Sequence, residues 1–328
     1  METAFERVGP YLVRMSDGET GEPRSLWVTP TIEGMRANPD VVSTRVRMAD
    51  DYTPDGHFAV KEGGSLNPDN IWHGYYAAFH ESYKAFKVLR ERYEQPQISF
   101  QVGIPAPIDY AGIIFGFATA AQHPEYEEAF RQSTVREIKE IQGEAGDDVI
   151  FQLETVNGLI GITRAPTDAQ QAVAEKVAAG FHKLIADTPR GTRFGAHLCL
   201  GDFHHKAMGE MNDATPVVLL SNALAKNFPS DQKLEYIHAP FAAADKPGSM
   251  DESWYTPLKD LDIPDDVAFV AGFIHEDVSA KDNKKLLEMI EGFAGRQVDV
   301  AAACGLGRRP DPEQAWDAMD KAVALIES

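Results

Sequence analysis

Apolar residues along this chain fall into two alternating patterns. Short, nearly continuous runs suit strands buried on both faces, and longer stretches with apolar residues every three or four positions suit helices. Tyr11 to Met15 reads as a short first strand and His57 to Lys61 as a short second one. The second lies in a stretch, 30 to 70, rich in Pro, Gly, Asp and Asn. A helix is expected over Ile71 to Glu94, with Ile71, Trp72, Tyr75, Tyr76, Phe79, Tyr83 and Phe86 at helical spacing. His73 and His80 lie on it, as histidines at the edge of a core commonly do.

The alternation then becomes regular. Strands are expected over Gln97 to Gly103, Asp148 to Glu154, Phe194 to Cys199, Lys233 to His238, Asp266 to Ile274 and Val298 to Cys304. Helices are expected over Glu125 to Gln142, from a capping box at Thr167 to about Ile185, over Pro216 to Phe228, near Trp254 to Leu261, and from a Ser279 cap to about Phe293. A final helix opens at Asp311 and Pro312, with Trp316, Met319, Val323 and Ile326 on one face. About eight strands, nearly all followed by helices, predict an α/β fold with a parallel sheet. Eight such units close into a single (β/α)8 TIM barrel, here covering 1–328 with an elaborated N-terminal region.

Composition narrows the setting. The apolar fraction of 43% is that of an ordinary globular protein. No apolar run approaches the roughly 20 residues of a membrane span, and the first residues lack the pattern of a signal peptide. Two cysteines make no disulfide framework, so the cytoplasm is expected. A formal charge of -20 argues against nucleic acid as a partner, and no membrane is expected either.

In such a barrel the C-terminal strand ends form one rim, where active sites lie. That rim would gather Asp17 and Glu19, Gln152 and Glu154, His197 and Cys199, His238, His275 and Glu276, and Cys304. In the run Phe194-Gly-Ala-His197-Leu-Cys199, the histidine and cysteine are two apart and so share one face of a strand. The other cysteine of the chain, Cys304, also ends a strand. Thiolate and imidazole together select zinc over magnesium or calcium. His197, Cys199 and Cys304 are thus three candidate zinc ligands, and His238 is the candidate for a fourth.

The H-x-C at His197 to Cys199, with a distant Cys304-Gly-Leu before a final helix, resembles the catalytic domain of cobalamin-independent methionine synthase. Its barrel superfamily includes uroporphyrinogen decarboxylase and corrinoid-linked methyltransferases. The resemblance covers roughly residues 95 to 328. It implies zinc on His197, Cys199 and Cys304. The family's glutamate ligand is unmatched, and His238 stands in its strand, with Glu235 or an open position as alternatives. The substrate-binding acidic residue falls on Glu154, in Gln152-Leu-Glu154, and the catalytic histidine on His275, with Glu276 beside it to orient it. Asp17, Glu19 and Glu154 could hold an ammonium or hydroxyl group of a substrate. The implied activity is zinc activation of a small thiol for methyl transfer, with a folate or a corrinoid protein as donor. The alternative is a zinc lyase or hydrolase using metal-bound water on a small oxygenated substrate.

Overall fold

The computed structural model describes residues 1–16, 28–44 and 56–328. Nine strands lie among them: β1 (Arg14–Met15), β2 (Val41–Ser43), β3 (Phe58–Val60), β4 (Ser99–Pro105), β5 (Val149–Thr155), β6 (Arg193–Leu198), β7 (Lys233–Pro240), β8 (Ala268–Ile274) and β9 (Asp299–Ala302). Seven form one parallel sheet in the order β1-β4-β5-β6-β7-β8-β9. From β4 onward, helices join successive strands, as a parallel sheet requires. The expected second strand exists as β3, but it pairs antiparallel with β2 in a separate ribbon. Among the described residues the parallel sheet therefore has seven strands rather than eight.

Apolar side chains on one face of the sheet meet the surrounding helices. Phe100, Phe151, Phe194, Phe269 and Phe273 are each at most 1% exposed. The other face turns inward on itself. There Ile150, Tyr236 and Val270 form a second, smaller apolar cluster with Ala268 and Ala301. On this face the strand register sets out two inward rows, which share Tyr236, Ala268 and Val270 with that cluster. One runs Gly103–Gln152–Gly195–Tyr236–Ala268 and the next Pro105–Glu154–His197–His238–Val270.

The sheet is curled enough for side chains to cross between strands that are not neighbours. The Tyr236 hydroxyl of β7 lies 3.0 Å from Gln101 Oε1 of β4 and 2.9 Å from Gln152 Oε1 of β5. The Arg14 guanidinium of β1 sits 3.7 Å from the centre of the Tyr236 ring. Towards the strand starts, Arg193 of β6 pairs with Glu235 and donates to Ser99 Oγ of β4 at 2.8 Å. Glycine in a strand interior usually marks a close approach, and Gly195 is such a case. A Cβ there would stand 2.1 Å from ring carbons of Tyr236. The smallest residue on β6 makes room for the largest on β7.

Local signals explain most helix boundaries and a few departures. Ser279 Oγ accepts from the Asp282 amide, and Asp311 accepts from the Glu313 amide with Pro312 next to it, as expected of caps. The first long helix runs Tyr75–Arg92, not from Ile71, because Gly74 takes φ +83° just before it. Trp72 consequently lies outside the helix and is 54% exposed. The helix Gln170–Ala186 starts without a side-chain cap, so the capping box at Thr167 does not form. In the last helix, Pro312–Ile326, the buried positions are Ala318 and Leu325, while Trp316 and Ile326 face outward. No helix among the described residues is long and apolar enough to cross a membrane.

Candidate metal centre

Strand register places Glu154, His197 and His238 side by side on β5, β6 and β7. Cys199 follows the end of β6 and Cys304 the end of β9. The sheet's curl brings their sulfurs to 3.6 Å although 105 positions separate them. One ligand atom from each of His197, Cys199 and Cys304 lies within 4.8 Å of the other two. His197 and Cys199 are buried and Cys304 is partly so.

Electrostatics polarise this trio. Cys304 is held well below the ordinary thiol range, first by its hydrogen bond with Cys199 and then, against burial, by His197 and Arg308. The same hydrogen bond and burial push Cys199 well up, so Cys304 is the more acidic of the two thiols. Burial works against a charge on His197, but its bond to Cys304 and the nearby Glu154 outweigh it and raise its pKa. Burial raises Glu154, which Gln152 holds through an amide hydrogen bond of 2.7 Å.

His238 adjoins the trio and is fully engaged. Its Nδ1 lies 2.9 Å from His197 Nδ1, and its Nε2 lies 2.9 Å from the Ala302 carbonyl. Glu235 is remote from the trio along β7, paired with Arg193. His275 is buried beyond the end of β8. Its Nε2 donates to the Ala244 carbonyl at 3.0 Å and its Nδ1 accepts from the Asp277 amide at 3.1 Å, leaving neither nitrogen open in this arrangement. Asp17 and Glu19 lie outside the described residues.

Glu276 sits in a buried ionic cluster that periodicity gave no reason to assemble. Its Oε1 lies 3.0 Å from His205 Nε2 and its Oε2 lies 3.3 Å from Arg309 Nη2. Burial acts to raise the Glu276 pKa, but its own backbone amide, Arg309, His275 and His205 bring it below the ordinary value. Arg309 Nη1 is 3.7 Å from Asp202 Oδ2. Burial, followed by the charge of Cys304, pushes Asp202 up to about 6. Its one legible signal was position: Asp202 and Arg309 each follow a strand-end cysteine by a few residues. A second missed pair is Asp109 and Asn157. The Asp109 carboxylate accepts from the Asn157 amide at 2.9 Å, tying the segment after β4 to the one after β5.

No protein-family model matches the sequence, and no curated protein sequence does. Solved structures match in fold. A B12-independent methionine synthase from Shewanella sp. W3-18-1, in complex with selenomethionine, is 14% identical with a TM-score of 0.55, over 99% of this chain and 85% of that one. A Listeria monocytogenes protein proposed to be a vitamin-B12-independent methionine synthase is also 14% identical, with a TM-score of 0.57 over 99% and 84% of the two chains. A methyltransferase from Methanosarcina mazei is 13% identical, with a TM-score of 0.54 over 99% and 83%. The chain therefore shares the fold of B12-independent methionine synthase and of this methyltransferase.

Proposed function

We propose that the protein is a cytoplasmic, zinc-dependent transferase that activates a small thiol for alkyl transfer, most simply transfer of a methyl group. The observation that carries this reading is the meeting of His197, Cys199 and Cys304 from two distant strand ends, within 4.8 Å of one another. Two sulfurs and an imidazole are the donor set zinc prefers, and Cys304 is the more acidic of the two thiols. Three protein donors leave one tetrahedral position for a substrate.

Bound zinc would supply Lewis acidity, lowering the pKa of a thiol presented at that position. The chain's own residues do the rest. Glu154 lies next to His197 on the same face of the sheet, and burial raises its pKa. Gln152 fixes its orientation, and Gly103 gives it room, since a Cβ there would stand 2.6 Å from Glu154 Oε1. With Asp17 and Glu19 it would bind an ammonium or hydroxyl group of the substrate. In the overall reaction a sulfur–carbon bond forms, the donor–carbon bond breaks, and the thiol proton is released. The names of the fold neighbours support methyl transfer as the class; a folate or a corrinoid protein would be the donor in this reading.

The test is metal analysis of the purified chain, joined to a thiol-alkylation assay with folate and corrinoid methyl donors. About one zinc per chain, lost in Cys304→Ser, together with an alkylated thiol product, is the expected result. A chain that holds no stoichiometric zinc overturns the reading. Turnover of a thiol-free substrate without thiol alkylation transfers it to the lyase or hydrolase alternative.

A further inference from the structure

His238 stands where a fourth ligand was expected, yet its lone pairs point elsewhere. A backbone carbonyl can only accept a hydrogen bond, so the 2.9 Å contact with Ala302 O requires the proton of His238 to sit on Nε2. In the neutral ring Nδ1 is then the acceptor. The nitrogen 2.9 Å away, His197 Nδ1, must be the donor. That assignment leaves His197 Nε2 with the lone pair. One carbonyl on β9 thus dictates, through two imidazoles, which nitrogen of His197 can coordinate.

The strands are built for this arrangement. His238 is on β7 and Ala302 on β9, so the ring must pass over β8 to reach its carbonyl. The residue beneath it on β8 is Gly272. A Cβ there would lie 2.8 Å from His238 Nε2 and 2.9 Å from the Ala303 Cα. Glycine leaves the gap through which the ring reaches. On the other side, direct register of His197 with His238 sets the two rings abreast.

We infer that His238 is a positioning residue that fixes the tautomer and ring orientation of His197, and that it is not itself a metal ligand. The inference rests on the zinc reading of His197, Cys199 and Cys304, and it predicts a centre with one imidazole and two sulfurs from the protein. Groups that orient a metal-bound histidine typically change metal affinity by about 10- to 100-fold when removed, without changing the ligand count.

Two measurements test it separately from the zinc reading. The first is the histidine tautomer pattern by long-range nitrogen–proton NMR on the wild-type chain, which needs no metal. His238 protonated at Nε2 and His197 at Nδ1 are expected. His238 protonated at Nδ1 instead overturns the inference whether or not zinc binds. The second is chelator competition and X-ray absorption on the zinc-loaded wild type, His238→Ala and His238→Gln. His238→Ala should keep one imidazole and two sulfurs while binding zinc about 10- to 100-fold more weakly. His238→Gln offers both an acceptor and a donor, so it should recover part of that loss. Two imidazoles in the wild type, falling to one in His238→Ala, would make His238 a ligand and end the proposal. A wild type that takes up no zinc strikes the zinc reading, and the tautomer pattern then decides the hydrogen-bonding claim alone.

Discussion

The sulfur of Cys199 lies 3.6 Å from the sulfur of Cys304. The contact joins the end of the middle strand of the parallel sheet, β6, to the end of its last strand, β9, and exists because the sheet curls. A disulfide needs about 2.05 Å between sulfurs, a small further approach. Hydrogen peroxide acting on the zinc-free chain should therefore oxidise the two thiols to one intramolecular disulfide, with the peroxide reduced to water. Thiol counting would fall from two to none, the mass would drop by two hydrogens, and added zinc would protect both. A chain that retains both thiols, or links into dimers, would show that the sulfurs are not neighbours.

The packing of Gly195 against Tyr236 sets a second expectation. Gly195→Ala would drive a methyl group into the Tyr236 ring, inside a layer that also holds Gln101, Gln152 and Arg14. Overpacking of a tight core costs about 1–3 kcal/mol. Gly143, in the helix Pro124–Ala145, has nothing within 4 Å of a Cβ, so Gly143→Ala should instead stabilise by about 1 kcal/mol. Urea unfolding of the two variants beside the wild type reads both signs, and equal effects would refute the packing account.

Asp109 gives a pH dependence. Burial raises its pKa from 3.8 to about 6, against the bonds it accepts from Asn157. A carboxyl whose folded pKa is raised contributes stability below its unfolded pKa and loses it as pH rises through the folded one. The wild type should thus forfeit up to about 3 kcal/mol between pH 3.8 and about 6 on account of this group. Asp109→Asn keeps the acceptor for Asn157 and cannot ionise. The difference between the two stability profiles should therefore grow across that interval and then level off. A flat difference would remove Asp109 as the cause.

Glu137 closes the start of the helix Tyr75–Arg92 from outside that helix. Its carboxylate accepts from the amides of His73 at 2.9 Å, Gly74 at 3.2 Å and Tyr76 at 3.0 Å. Gly74 has no side chain with which to cap. Glu137→Ala should cost about 3 kcal/mol, since buried donors left without a partner are expensive. Amide exchange at residues 73–76 should accelerate first, ahead of the rest of the helix. Uniform acceleration along the helix would indicate a general packing loss.

Much of this could be read from sequence, and the failures have physical causes. Strands β5, β6 and β8 declared themselves because residues buried on both faces leave near-continuous apolar runs such as Val149-Ile-Phe and Phe269-Val-Ala. His197 and Cys199 declared themselves because period two is a property of any strand. β2 went unseen because only Val41 of its three residues is buried, and β3 found a partner outside the main sheet. The Asp202–Arg309–Glu276–His205 cluster is a matter of loops meeting, which no periodicity encodes. The orientation of His238 depends on a carbonyl, an atom every residue possesses, and so no choice of side chain could announce it.

The stacking of Arg14 on Tyr236, with Arg193 and Glu235 paired towards the strand starts, also bears on traffic. These side chains plug the floor of the curled sheet. A solute at the two sulfurs would lie on the far side of this layer, towards the strand C-terminal ends, so among the described residues the strand-start side is filled by protein.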